Sequence, residues 1–341
     1  MADRLVRFFT TPPELLTRTR QLTPPLDARH DTAHGVLLMQ ILVIGATGYA
    51  GRRVSAALAR AGHTVLGLTR DTSAPAAHAL VADEITAVEG DFGKPESWRD
   101  HLDGTDAVVH LLMDMSDPIG GDQRLFAQLL AAQERDGRSR HLVFTTGISS
   151  YGRTGLPLMD ENTPGNSESP IGFRFALERE LAASGLAHTV VRPGFMYGGP
   201  ATTSMTAQWF AAAEAGNPVF YGDTAKRWSW VHVDDLADAY VRILDNPAAV
   251  DGETFVIADD QRLTALYMQR TAVRAAGHTG EIALESAEAG GMMQLAADQD
   301  ELVTSAKAHR LLGWTPRHIS FTDAPVRHYL AWKAAQPVST R

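Results

Sequence analysis

A doubly wound parallel α/β sheet is the fold class this sequence predicts. Near-continuous apolar runs recur at 40–44, 64–69, 85–88, 107–112, 142–146 and 188–192. Helical patterns lie between them at 51–61, 97–102, 121–136 and 171–184. Strands buried on both faces read as unbroken apolar runs, and strand–helix alternation winds them in parallel. The third observation is the turn that ends the first run.

There Ile41-Leu42-Val43-Ile44 passes into Gly45-Ala46-Thr47-Gly48-Tyr49-Ala50-Gly51, and an amphipathic helix follows. A strand, a glycine turn and a helix N-terminus together make a cradle for a dinucleotide pyrophosphate, so the sheet is expected to be of the Rossmann type. Gly45 permits the tight turn, Gly48 the close approach of phosphate, and Gly51 the packing of helix on strand. The second run ends at Thr69-Arg70-Asp71. An acid at that tip would bind the ribose hydroxyl of NAD, whereas an arginine pairs with the extra phosphate of NADP. Arg70 therefore points to NADP(H) over NAD(H), with Arg52 or Arg53 as a second cation and Asp71 as the complication.

Past Pro193 the pattern turns irregular, with helices expected near 203–216, 234–245, 264–276 and 304–312. The expected organisation is an N-terminal arm or start-site extension over 1–38 and a dinucleotide-binding domain over 39–195, to which 219–258 returns. A smaller, mostly helical substrate lobe would comprise 196–218 and 259–341. Such a lobe would sit over the strand C-termini, where open α/β sheets bind ligands.

The 341 residues are 44% hydrophobic, enough for a large core, and the net charge of −9 disfavours nucleic acid as a partner. There is no cysteine, hence no disulfide framework or thiolate metal site. The 13 histidines show no metal-ligand spacing, so no metal is expected. Arg4, Arg7 and Pro12-Pro13 interrupt any leader-like apolar stretch, and no apolar run of about 18 residues suggests a membrane span. A cytoplasmic location fits this.

Seven ordered segments between about 40 and 320 resemble the extended short-chain dehydrogenase/reductase family. They are Gly45–Gly51, Gly90-Asp91-Phe92, Val109–Leu112, His141 through Tyr151-Gly152, Val191-Arg192-Pro193-Gly194 to Gly198, Trp230-Val231-His232-Val233-Asp234-Asp235, and Lys307 to Pro316. The resemblance implies cofactor contacts from Gly45, Thr47, Gly48, Tyr49, Ala50, Gly51 and Arg70. It puts Asp91 and Phe92 at the adenine, Leu111, Leu112 and Met113 at the ribose, and the backbone from Pro193 through Phe195 to Met196 toward the nicotinamide, with Thr145 as a further cofactor contact. His232 is expected to be structural and Asp234-Asp235 to cap a helix.

The family's catalytic pair does not carry over. Its members use Tyr-x-x-x-Lys, but here those positions hold Ile171 and Phe175. The catalytic Ser/Thr position falls on Gly147, and the supporting asparagine near Asp122. The one Tyr-x-x-x-Lys spacing, Tyr329 with Lys333, lies in an expected surface helix. Thr146, Ser149, Tyr151 and Tyr197 remain as weak candidates for a proton donor. Sugar-nucleotide members carry an arginine where this chain has Trp228. Met113, Phe195, Tyr197, Trp209, Trp228 and Trp230 would either line a site for a flat aromatic ligand or pack the lobe against the sheet.

The resemblance implies an NADPH-dependent reductase of a ketone on a bulky, polyketide-like metabolite, similar to angucyclinone ketoreductases of the simocyclinone type. The proton would come from a phenol of the substrate. Two other readings stay open: an NAD(P)-sensing protein without catalysis, and a sugar-nucleotide epimerase or dehydratase. Oligomeric state is left undetermined.

Overall fold

The computed structural model describes residues 38–166, 169–200 and 203–336. All but Leu38 of the expected 1–38 arm lies outside them.

Six strands alternate with helices in the first half: β1 Gln40–Ile44, β2 Thr64–Thr69, β3 Thr86–Glu89, β4 Ala107–His110, β5 His141–Thr145 and β6 His188–Pro193. The helices are α1 Tyr49–Arg60, α2 Pro75–Ala82, α3 Gly120–Asp136 and α4 Phe173–Ala183. Then come β7 Phe195–Tyr197, α5 Met205–Glu214, β8 Val219–Tyr221, β9 Trp230–His232, α6 Val233–Asp245 and β10 Thr254–Ile257. The chain continues through α7 Ala265–Ala275, β11 Ala283–Glu285, α8 Met292–Ala296, α9 Ala306–Leu312 and α10 Pro325–Ala334.

The main sheet runs β10-β6-β5-β4-β1-β2-β3, and every pairing in it is parallel. The strand order reverses at β1, which pairs with both β2 and β4. That reversal opens a crevice at the strand C-termini. Side-chain alternation sends Ile41 and Val43 to one face, with Val54 and Leu58 of α1 and Leu236 and Ile243 of α6. Leu42 and Ile44 go to the other face, with Leu125 and Leu129 of α3 and Leu177 and Leu181 of α4. Each such buried aliphatic contributes about 1.5–3 kcal/mol.

The expected helix at 97–102 is instead two short 3₁₀ turns, Pro95–Ser97 and Arg99–Leu102. Trp98 between them has φ −136°, outside the helical range. Its ring is buried against Phe92, so tertiary packing has broken the helix there. In the apolar run at 107–112 the strand ends at His110, the Leu111 N–H still donates to the Ile44 carbonyl at 2.9 Å, and Leu111–Met113 forms the crevice edge. Helix α6 is capped by His232, not by its aspartates: His232 Nδ1 accepts from the Asp234 N–H at 3.2 Å. Asp235 instead accepts from the backbone of Arg317 and His318 at 3.1 and 2.8 Å.

Beyond the sheet, β7 pairs with β9 and β8 with β11. They join α5, α7 and α10 around an aromatic core of Tyr197, Trp209, Phe210, Trp228, Trp230, Phe321 and Trp332. Among the described residues, no helix is long and apolar enough to cross a membrane.

Candidate cofactor and substrate site

The glycine turn is tight. Gly45 has φ +90°, a left-handed conformation that glycine adopts without penalty. A Cβ on Gly51 would stand 2.0 Å from the Gly45 carbonyl oxygen, so α1 can start there only with glycine. A Cβ on Gly48 would stand 3.1 Å from the same oxygen. Gly48 N-caps α1 with no side-chain hydrogen bond, which leaves first-turn N–H groups available to an anion. The turn therefore fits a dinucleotide pyrophosphate.

Two cavities flank the β1/β4 reversal. The larger, about 600 Å³, is walled by Gly45, Thr47, Arg70, Asp91, Phe92, Leu112 and Met113, with Lys94 and Asp114. The smaller, about 200 Å³, shares Leu112 and Met113 and adds Ala50, Leu111, Thr145, Thr146, Ser150, Ile171, Arg174, Pro193 and Met196. The structure thus gathers most of the expected cofactor residues along one crevice. Tyr49 turns aside, donating to the Gly198 carbonyl at 2.7 Å. Phe195 lies outside these two walls, its ring stacked on Trp228 at 4.6 Å. Phe92 stacks on Trp98 and lies tilted against His110, so its ring serves the core as well as the wall.

Arg70 is exposed at the lip and has no ion-pair partner among the described residues. Asp71 is turned onto Ser73, accepting from its N–H at 2.8 Å and its hydroxyl at 2.6 Å, and these bonds hold its carboxyl below the usual range. Arg52 and Arg53, unlike Arg70, each have an ion-pair partner. Asp83 takes Arg52 at 3.1 Å and Asp234 takes Arg53 at 3.5 Å.

All four proton-donor candidates already have a hydrogen-bond partner, and the two tyrosines are buried. Thr146 donates to Glu178 at 2.6 Å and Ser149 to Glu301 at 2.7 Å. Tyr151 is fully buried; its hydroxyl donates to the Asp160 carbonyl at 2.6 Å and accepts from Arg192 at 2.8 Å. Burial pushes it up to about 12. Tyr197 is also fully buried, reaches the His318 carbonyl at 3.3 Å, and is raised further by burial. Both tyrosines pack the core and are poorly placed to donate protons in the crevice. Tyr329 and Lys333 both bond Glu214 on the surface, at 2.7 and 2.5 Å.

Of the two aromatic readings, packing prevails. Trp230 and Tyr197 have no exposure, and Trp228 donates its indole N–H to the Ala297 carbonyl at 3.0 Å. Trp209 and Trp228 line a separate cavity of about 290 Å³, beside Lys226, Tyr221 and Gln269. Met113 is the one residue of that set in the crevice wall.

Sequence reasoning missed Arg174 and Ser150. Phe175, at the family's lysine position, packs under Arg192, whose guanidinium carbon is 4.3 Å from the ring centre. Arg174, one position earlier, enters the small cavity instead. Its guanidinium donates to Asp122 at 2.9 Å and to the Thr145 carbonyl. Burial raises Asp122 to about 6, with Arg174 pulling the other way. His110 Nε2 lies 3.4 Å from the same carboxylate, and burial lowers that imidazole to about 3, so it is neutral. The signal for Arg174 was its spacing with Leu177, Glu178 and Leu181, which places a charge on the buried face of α4. Ser150 is 0% exposed, and its Oγ has no hydrogen-bond partner among the described residues.

A parallel sheet with a glycine turn and a crevice at its reversal defines a dinucleotide-binding α/β protein. Residues 41–258 match the NAD dependent epimerase/dehydratase family, and the chain belongs to it. Among curated relatives, it is 31% identical to an isoflavone reductase homologue of Zea mays over 62% of this chain. That match covers 65% of the maize protein, just under two thirds of its length. It is 28% identical to a 3-diazoavenalumate denitrifying reductase of a Streptomyces species, over 84% of this chain and 98% of that one. The fold resembles the dTDP-glucose 4,6-dehydratase of Bacillus anthracis solved with NAD, with a TM-score of 0.74 at 18% identity. That likeness covers 87% of this chain and 97% of the other.

Proposed function

We propose that the protein is an NADPH-dependent reductase of a ketone on a bulky aromatic metabolite, of the polyketide-like angucyclinone kind, acting in the cytoplasm. The single observation that carries this reading is the small cavity. Its wall is mostly apolar, and Ile171 stands where family members have the catalytic tyrosine. A mostly apolar pocket of this kind suits a flat aromatic ligand. Two relatives whose names describe reductases support reduction over epimerisation. Trp228, at the position of a diphosphate-gripping arginine, is buried and hydrogen-bonded within the lobe, which weighs against a sugar nucleotide.

The cofactor, when bound, would supply the hydride. Gly45 to Gly51 would hold its pyrophosphate, with Arg70 at the extra phosphate. Leu111, Leu112, Met113 and Pro193 would bound the nicotinamide end and exclude water. A general acid is worth about 10²–10⁴ in rate, so its loss is tolerable if the developing oxygen charge is stabilised otherwise. A phenol beside the ketone polarises the carbonyl and then delivers the proton. The division into a dinucleotide-binding domain over 39–195 with 219–258, and a substrate lobe over 196–218 and 259–341, belongs to the same proposal.

The test is turnover of NADPH with a tetralone carrying a hydroxyl peri to its ketone, and with its methyl ether. The phenol should be reduced and the ether should not. Equal reduction of both would place the proton donor in the protein. Tight NADPH binding without turnover of any aromatic ketone would favour the sensing protein, and turnover of a sugar nucleotide the epimerase or dehydratase.

A further inference from the structure

We infer that Ser150 is the protein's hydrogen-bond donor to the substrate carbonyl oxygen, and that Arg174, fixed by Asp122, is the positioning charge beside it. This rests on the reductase reading above.

The argument is one of elimination among hydroxyls. Five hydroxyl side chains occupy the segment from the end of β5 through the following 3₁₀ turn and into the crevice wall. Thr145 is bonded to Tyr240 at 2.5 Å, Thr146 to Glu178 at 2.6 Å, Ser149 to Glu301 at 2.7 Å and Tyr151 to Asp160 at 2.6 Å. Of the five, Ser150 alone has no partner among the described residues, although it has no exposure. A buried hydroxyl is normally paired, and one left open in the wall of a cavity is free to be completed by what binds there. It lines the same cavity as Ile171, so the donor lost at the tyrosine position is replaced from another part of the wall.

Arg174 completes the arrangement. It lines that cavity at 5% exposure, and bonds to Asp122 and the Thr145 carbonyl fix its orientation. A fixed cation in an apolar wall favours negative charge developing on a nearby oxygen. When hydride reaches the carbonyl carbon, a C–H bond forms and the C=O π bond breaks. Its electron pair moves to oxygen; the ketone is reduced and the dinucleotide oxidised. The Ser150 O–H donates a hydrogen bond to that oxygen and keeps its own proton. The proton that neutralises the oxygen comes from the adjacent substrate phenol, which recovers one from solvent.

The experiment compares wild type, Ser150→Ala and Ser150→Cys with the peri-hydroxylated tetralone. Ser150→Ala should keep its melting temperature and its NADPH affinity and lose about 100-fold in kcat, the usual cost of one such donor. The carbonyl stretch of the tetralone bound with NADP⁺ should move to higher wavenumber than in wild type. If alanine prevents folding, Ser150→Cys, a weaker donor of similar volume, should show a smaller loss in kcat with the same direction of infrared shift. Unchanged kcat and carbonyl stretch in a folded variant would overturn the assignment and leave the reductase reading standing. A parallel loss of NADPH affinity would also overturn it, by giving Ser150 to the cofactor. A wild-type protein that binds NADPH but reduces no aromatic ketone would remove the reductase reading, and this assignment with it.

Discussion

The Arg174 guanidinium lies 2.9 Å from Asp122, joining α4 to α3 beneath the small cavity. Both side chains are almost wholly buried. Breaking a buried pair strands the remaining charge, which costs about 3–5 kcal/mol, while replacing both partners by apolar groups is often close to neutral. Arg174→Met should therefore lower stability in urea by about 3–5 kcal/mol. Arg174→Met with Asp122→Leu should recover most of that. A double variant as unstable as the sum of its parts would show that the pair is not a coupled unit.

Arg70→Ala should weaken NADPH binding about 10- to 150-fold, the loss of one charged hydrogen bond, with NADH little changed. Fluorescence titration of both nucleotides measures it. An unchanged preference would remove Arg70 from the phosphate and leave Lys94, in the same cavity wall, as the next cation to test.

The glycines of the turn should separate by mechanism. Gly51→Ala forces a Cβ to within 2.0 Å of a backbone oxygen, so it should destabilise the fold itself. Gly48→Val should leave a folded protein that no longer binds NADPH, because its side chain takes the space of a phosphate. Melting curves with and without NADPH distinguish the two. A Gly48→Val protein with normal affinity would put the cofactor elsewhere.

Glu301 gives a pH prediction. It is fully buried, and desolvation raises its carboxyl to about 7 against an ordinary 4.5. The folded state thus holds a proton that the unfolded chain releases between those values. Its contribution is fully present below about pH 4.5 and is lost as pH rises through 7, by about 3 kcal/mol in all. Asp259, raised to about 8 by burial, acts in the same direction. Glu301→Gln should flatten the fall in stability between pH 5 and pH 8, as measured by denaturant titration at each pH. A variant with the wild-type slope would assign that fall to other groups.

What the sequence determined by itself was whatever depends on neighbours along the chain. The unbroken apolar run of β1, the helical faces of α1 and α4, and the glycine turn follow from spacings within a few residues. The absence of the tyrosine and lysine is likewise a local fact, since Ile171 and Phe175 can be read directly. The tertiary structure alone decided which polar groups remain available. Ser149 is committed by Glu301, 152 positions away, and Thr145 by Tyr240, 95 positions away. Arg174 is fixed by Asp122, 52 positions earlier. Trp209, Trp228 and Trp230 are packed in an aromatic core because α5, α7 and α10 close around them from three separate stretches of chain. A hydroxyl's hydrogen-bond partner and a ring's burial are set by groups brought together only on folding, and no local spacing encodes them.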